Sequence, residues 1–237
     1  MAPHVVEQVI ETASKERFST VALGGGEPLS TLPQTIHAIE TATKSKLLTA
    51  VTTSGHGLNA AVISSLERAG LNHLQLSLGD NRVNITAAYN LMVSTPRSCS
   101  FGVNFLMSPQ LIRIMPLFLR KFDADKIDQV TLLLPKGTFG NTHRFSSDEF
   151  MRYYSTLNTI KLKHTVILVD CATQQILQGH CAAQGCSVFP DSTVSRCAFG
   201  CGKRVPLNGS LTEAMANDKD ECREGLTIMK TTRNETR

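Results

Sequence analysis

The sequence predicts an α/β protein built from repeated strand–helix units, followed by a short cysteine-rich extension. Three observations carry this expectation. Six short apolar, partly β-branched runs recur near Val21 (VAL), Leu47 (LLTAVTT), Leu74 (LQLSL), Val103 (VNFLM), Val130 (VTLLL) and Val166 (VILV). The stretches between them carry apolar residues at helical spacing. Six of the seven cysteines lie at or beyond Cys171.

The elements follow in order. Val5 to about Phe18 reads as a first helix, with Val6, Val9, Ile10 and Ala13 on one face, and Val21 opens the strand after it. Leu32, Ile36 and Ile39 mark the next helix; Val62, Leu66 and Ala69 the third; Ile85, Ala88, Tyr89 and Met92 the fourth. Leu111, Ile112, Met115, Phe118, Leu119 and Phe122 continue the pattern. Successive strand starts lie 26, 27, 29 and 27 residues apart, and the last gap is 36. That spacing suits a strand, a loop, a crossover helix and a second loop. Runs that are apolar on both faces suit strands covered by helices. Right-handed crossovers then allow either an open doubly wound sheet or a curved barrel. In a βα repeat a strand precedes each helix, so the strand before the first helix is expected to be missing.

Composition narrows the function. The 237 residues are 41% hydrophobic, enough for an ordinary globular core. A net charge of +4 is too small to argue for nucleic acid as a partner. No apolar run reaches the roughly 18 residues of a membrane span. The stretch MAPHVVEQVIE mixes acidic with apolar residues and does not read as a signal peptide, so a cytoplasmic protein with no membrane partner is expected. An odd number of cysteines without a leader argues against a disulfide framework and for metal or iron–sulfur ligation.

In α/β folds, ligand chemistry gathers at the C-terminal ends of parallel strands. Each such end here is polar or glycine-rich: GGGEP after the first strand, Thr52-Thr53-Ser54-Gly55-His56-Gly57 after the second, Ser77 in the third and Asn104 in the fourth. Gly24 to Gly26 allow positive φ and close approach of a ligand. Glu27 offers a carboxylate to an ammonium group, and Pro28 pushes Glu27 out of the helical region. The spacings GxGxxG and GxxxxGK[ST] are absent, so neither a dinucleotide fold nor a P-loop is supported. Ser30 or Thr31 is placed to cap the second helix, with Gln34 as a box partner of Thr31. Nothing at metal spacing accompanies His56.

Gly25-Gly26-Glu27-Pro28, Thr53-Ser54-Gly55, the Leu74–Leu78 strand and the Val103-Asn104-Phe105 strand together resemble the radical S-adenosylmethionine (AdoMet) enzymes over residues 1–170. The resemblance implies a partial (β/α)6 TIM-like barrel, here lacking its first strand. It implies AdoMet as cofactor, with Gly25, Gly26 and Glu27 at its amino group and Ser77 near its carboxylate or ribose. Asn104 would lie in the same neighbourhood. It further implies reductive cleavage of AdoMet, supported by an electron donor, to abstract hydrogen from a peptide or small-molecule substrate. The family's CxxxCxxC motif, whose three thiolates hold a 4Fe-4S cluster, is absent: no cysteine precedes Cys99. The expectation is therefore an N-terminally incomplete enzyme. The alternative is a non-catalytic or zinc-binding remnant with a structural or interaction role.

Residues 171–237 form the second predicted segment. Ser187 to Asp191 and Val194 to Cys197 read as two short strands around a turn of Asp191 and Ser192. The segment resembles the SPASM or twitch extensions of radical AdoMet enzymes, which hold auxiliary 4Fe-4S clusters and place a Pro-Asp-Gly turn before a cysteine. Here Ser192 replaces that glycine. The resemblance implies Cys181, Cys197 and Cys222 as ligands, with Cys186 and Cys201 as further ones. The spacing of Cys197 and Cys201 also suits zinc.

Overall fold

The computed structural model describes residues 1–78, 82–134, 146–170, 173, 185–196, 204–207 and 209–217. Helix α1 spans Pro3–Lys15, β1 Thr20–Leu23, α2 Leu32–Lys44, β2 Leu48–Thr53, α3 Ala60–Ala69, β3 His73–Leu78 and α4 Arg82–Ser94. Then come β4 Ser100–Leu106, α5 Met115–Ala124, β5 Gln129–Leu133, α6 Ser147–Thr159 and β6 Val166–Val169. The extension contributes β7 Ser187–Val188, β8 Thr193–Ser195, β9 Val205–Pro206 and α7 Leu211–Asn217.

All six anticipated strands form, and they make one sheet in the order β1-β2-β3-β4-β5-β6. β1–β2, β2–β3 and β5–β6 pair in parallel. A strictly sequential order resolves the alternative left open by periodicity. When every right-handed crossover steps in the same direction, every helix falls on the same face. Among the described residues the sheet has two edges, β1 and β6, and does not close into a barrel.

The chain divides into two compact units. The first comprises residues 1–102 and 184–220, the second 103–183 and 221–237. In the first, Thr49, Val51, Thr53, Leu74, Leu76 and Phe101 are buried on the helix side. Tyr89 of α4 meets Phe101 with ring centroids 6.5 Å apart. The opposite side holds Leu48, which is 56% exposed, and Ala50, Thr52, His73, Gln75 and Ser77. Among the described residues this second side is half-buried for the most part, with Gln75 buried, and is more open than the helix side. Sequence runs such as LQLSL and LTAVTT look apolar throughout, but their period-2 parity separates a dry face from a half-open one.

Local signals explain the helix ends. Asn59 accepts a hydrogen bond from the Val62 amide at 3.0 Å to start α3, and Gly70 ends it at φ +104°. Ser146 and Glu149 form a reciprocal capping box on α6. The expected box on α2 does not form: Thr31 makes no capping bond, and its hydroxyl turns back to the Pro28 carbonyl at 3.5 Å.

The extension strands pair antiparallel in the order β7-β8-β9. They join the core of the first unit. Val194, Leu211 and Ala214 pack with Ile10, Ala13, Ala38, Ala42 and Leu47. Glu16, just past α1, accepts bonds from the Leu211 amide at 3.1 Å and the Thr212 amide at 2.8 Å. In the second unit, Phe105 of β4 packs on Phe118 and Phe122 of α5, at 5.0 and 6.0 Å between centroids. Asp123 accepts from the Lys163, His164 and Thr165 amides and fixes the approach to β6. No helix among the described residues is long and apolar enough to cross a membrane.

Candidate functional site

Parallel pairing brings the C-terminal ends of β1, β2 and β3 side by side. Leu23 pairs with Val51, and Thr53 with Leu76. Gly24 and Ser54, the first residues after β1 and β2, and Ser77, near the end of β3, thus share one rim of the first unit. After β1, Gly25 and Gly26 adopt φ +79° and +58°. These are left-handed values that an L side chain tolerates poorly. A Cβ built on either meets nothing within 4 Å. Backbone conformation, not crowding, demands the glycines, and the space over the turn is open. Both residues are exposed, and no hydrogen bond among the described residues reaches their carbonyls.

Pro28 has the effect expected of it: Glu27 is extended, at φ −128° and ψ 104°. Its side chain turns towards β2. Oε1 accepts from the Thr53 hydroxyl at 2.7 Å and the Leu29 amide at 3.0 Å. Oε2 accepts from the Ser54 amide at 2.8 Å and from the Ser54 hydroxyl. Thr53, itself 2% exposed, accepts in turn from the Gly55 amide at 3.0 Å. Partial burial pushes the Glu27 carboxyl up, but the hydroxyls of Ser54 and Thr53 and the two amides outweigh it and hold the group below its ordinary value. On the other side of the turn, the Thr35 hydroxyl donates to the Pro28 carbonyl at 2.7 Å.

The structure thus brings together Gly25, Gly26 and Glu27 after β1, with Ser77 near the end of β3, two strands along the sheet. Ser77 is half-buried on β3 and hydrogen-bonded or otherwise engaged. Asn104 is half-buried on β4 in the second unit and is likewise engaged. Of the proposed metal ligands, Cys186 is half-buried at the foot of β7, packed against the apolar core beside α1. Burial and the nearby Glu16 carboxylate push its thiol up. Cys181, Cys197, Cys201 and Cys222 lie outside the described residues. No group of three His, Cys, Asp or Glu side chains among the described residues is placed to hold a metal.

Two roles escaped the sequence. Thr53-Ser54-Gly55 stood out as part of the resemblance, but the bonds of Thr53 and Ser54 to Glu27 did not; their signal was a pair of hydroxyls at one strand end beside a carboxylate at the next. In the second unit, Asp170 ends β6 almost buried, and accepts from the Leu134 amide at 3.0 Å and the Thr173 amide at 2.9 Å. It pins two strand ends there.

No sequence family and no curated protein matches the chain in sequence. Solved structures do match in fold. The structure of native anSMEcpe with bound AdoMet and Kp18Cys peptide superposes with a TM-score of 0.64 at 13% identity, over 98% of this chain and 75% of that one. Streptococcus suis SuiB gives 0.60 at 12% identity, over 84% of this chain and 54% of its own. SuiB bound to precursor peptide SuiA gives 0.56 at 15% identity, over 75% and 45%. The chain spans three quarters of the length of the first and about half of SuiB. At these identities the likeness is one of fold alone, an α/β fold on a six-stranded sheet.

Proposed function

We propose that this chain is a radical AdoMet-type protein that holds the amino-acid end of AdoMet at the β1, β2 and β3 strand ends. The observation that carries the proposal is the open, exposed Gly25-Gly26 turn, pinned beside Thr53 and Ser54 at the rim of a parallel sheet. Carbonyls with no bonded donor among the described residues suit an ammonium donor. Gly25, Gly26, Glu27 and Ser77 form the proposed binding set of the first unit; Asn104, the weaker candidate, belongs to the second unit. When bound, AdoMet supplies a sulfonium for reductive cleavage. This chain's own residues bind the cofactor and orient it. Two of the fold neighbours carry peptides in their structures, which supports a peptide as the substrate class.

The primary 4Fe-4S cluster does not fit the residues present. No cysteine precedes Cys99, and the Cys99 thiol is buried, its pKa pushed up to about 11 by burial and by Glu67. A protonated interior thiol is a poor ligand. That observation favours a second reading, in which the chain binds AdoMet without cleaving it unless the three thiolates are supplied. The extension completes the proposal, with Cys181, Cys197 and Cys222, joined by Cys186 and Cys201, as auxiliary-cluster ligands.

Anaerobic reconstitution with iron and sulfide, followed by metal counting and a visible spectrum, separates these elements. Absorbance near roughly 400 nm with bound iron supports the auxiliary cluster. Stoichiometric zinc with no such band contradicts it. Formation of 5′-deoxyadenosine on reduction by this chain alone would overturn the binding-only reading.

A further inference from the structure

At the opposite end of the same strands a second cluster carries a chemistry independent of AdoMet. We propose that Ser100 is an acyl-acceptor nucleophile, with His73 as its general base and Gln75 as the residue that positions the ring.

Ser100 opens β4 and His73 opens β3. The Ser100 amide donates to the Asn72 carbonyl at 2.9 Å, which sets Ser100 beside His73. Ser100 Oγ lies 2.7 Å from His73 Nδ1, and His73 Nε2 lies 2.5 Å from Gln75 Oε1. A hydroxyl is activated by a base within hydrogen-bond reach that a third group orients, and all three are present. The order of bonds places the proton. A carboxamide oxygen only accepts, so Nε2 carries the hydrogen, and in the neutral ring the Nδ1 lone pair faces the serine. The Asn72 carbonyl, 3.1 Å from Oγ, is the competing acceptor, but it already takes the Ser100 amide.

Gly102 makes the arrangement possible. A Cβ there would overlap Gln75 Oε1 and come within 2.8 Å of His73 Nε2. Crowding demands this glycine: Gln75 and His73 lie across the β4 backbone where a side chain would stand. Gln75 is buried and His73 half-buried, whereas Ser100 is exposed. The base is sheltered, and the nucleophile is open to a reagent from solvent.

The substrate class is an activated ester. Ser100 Oγ attacks its carbonyl carbon. The Oγ–C bond forms as the Oγ proton passes to Nδ1, the ester C–O bond breaks, and the proton leaves with the departing alcohol. The nearby amides are already engaged, those of Ser98 and Cys99 with Glu67 and that of Ser100 with Asn72. They form no oxyanion cradle, so the acyl-serine accumulates to one equivalent.

The test treats the full chain with p-nitrophenyl acetate and locates the acetyl group by peptide mass spectrometry. Ser64 and Ser94, exposed on α3 and α4, serve as internal controls. Ser100 is expected to acylate at least roughly tenfold faster than either, with the advantage lost in His73→Gln and reduced in Gln75→Leu. Ser100→Ala removes the adduct. Long-range 1H–15N spectra are expected to show His73 as the Nε2–H tautomer, and to show that preference lost in Q75L, a signature that packing alone does not produce. Acylation of Ser100 at the rate of the controls, an undiminished rate in H73Q, or an Nδ1–H tautomer in the unaltered chain overturns the proposal. The comparison with the controls and the tautomer need no variant, so the test stands even where a substitution prevents folding.

Discussion

Ser192 has φ +60°, the left-handed conformation, in the turn between β7 and β8. It is the position where the resembled extension places glycine. A serine there bears strain that a glycine escapes, offset in part by the glycine's greater freedom when unfolded. Ser192→Gly should therefore stabilise the chain by a few tenths to about 1 kcal/mol, read as a rise in denaturation midpoint. Glu27 gives a pH-dependent counterpart. Its folded carboxyl lies below the ordinary value, so the stability it contributes is present above the ordinary carboxylate pKa. That contribution is lost as pH falls through the lowered one. Glu27→Gln should be less stable than the unaltered chain at neutral pH, and the gap should close on acidification, measured by urea unfolding across pH. The glycines and the glutamate were legible in the sequence because rare backbone demands leave rare residues behind. Their partners were not, because Thr53 and Ser54 are ordinary residues whose role depends on which strand lies alongside.

Elements were legible to the extent that period carried them. All six strands lie where apolar runs placed them, since the βα repeat forces a short apolar strand into each unit. The coverage of the sheet was not legible. LQLSL alternates Leu74, Leu76 and Leu78 with Gln75 and Ser77, but only the sequential strand order decides which parity meets helices. The docking of α7 was likewise invisible, because the Glu16 bonds to Leu211 and Thr212 close a loop of 195 and 196 residues. The Glu16 carboxyl, pushed up by desolvation, is held below its ordinary value by the Thr212 and Ser210 hydroxyls and the Thr212 and Leu211 amides. Glu16→Gln removes that anchor. It should speed amide hydrogen exchange across residues 211–217 at neutral pH while leaving α3 and β3 unaffected. Equal acceleration throughout the first unit would show that the anchor supports the whole core and not the helix alone.

At the scale of the first unit, parallel pairing in sequential order sets the ends of β1, β2 and β3 side by side. This converts a string of scattered motifs into a row of neighbours. Glu27 and Thr53 are 26 residues apart in sequence and 2.7 Å apart in space. The proposed function has this row bind the amino-acid end of AdoMet. Titration calorimetry with AdoMet and with methylthioadenosine, which lacks the amino-acid end, tests it most directly. Saturable one-to-one binding of AdoMet is expected, with at least roughly tenfold weaker binding of methylthioadenosine and loss of that difference in a Gly25→Val, Gly26→Val double variant that remains folded. No AdoMet binding by the folded chain, or equal binding of the two ligands, would contradict it.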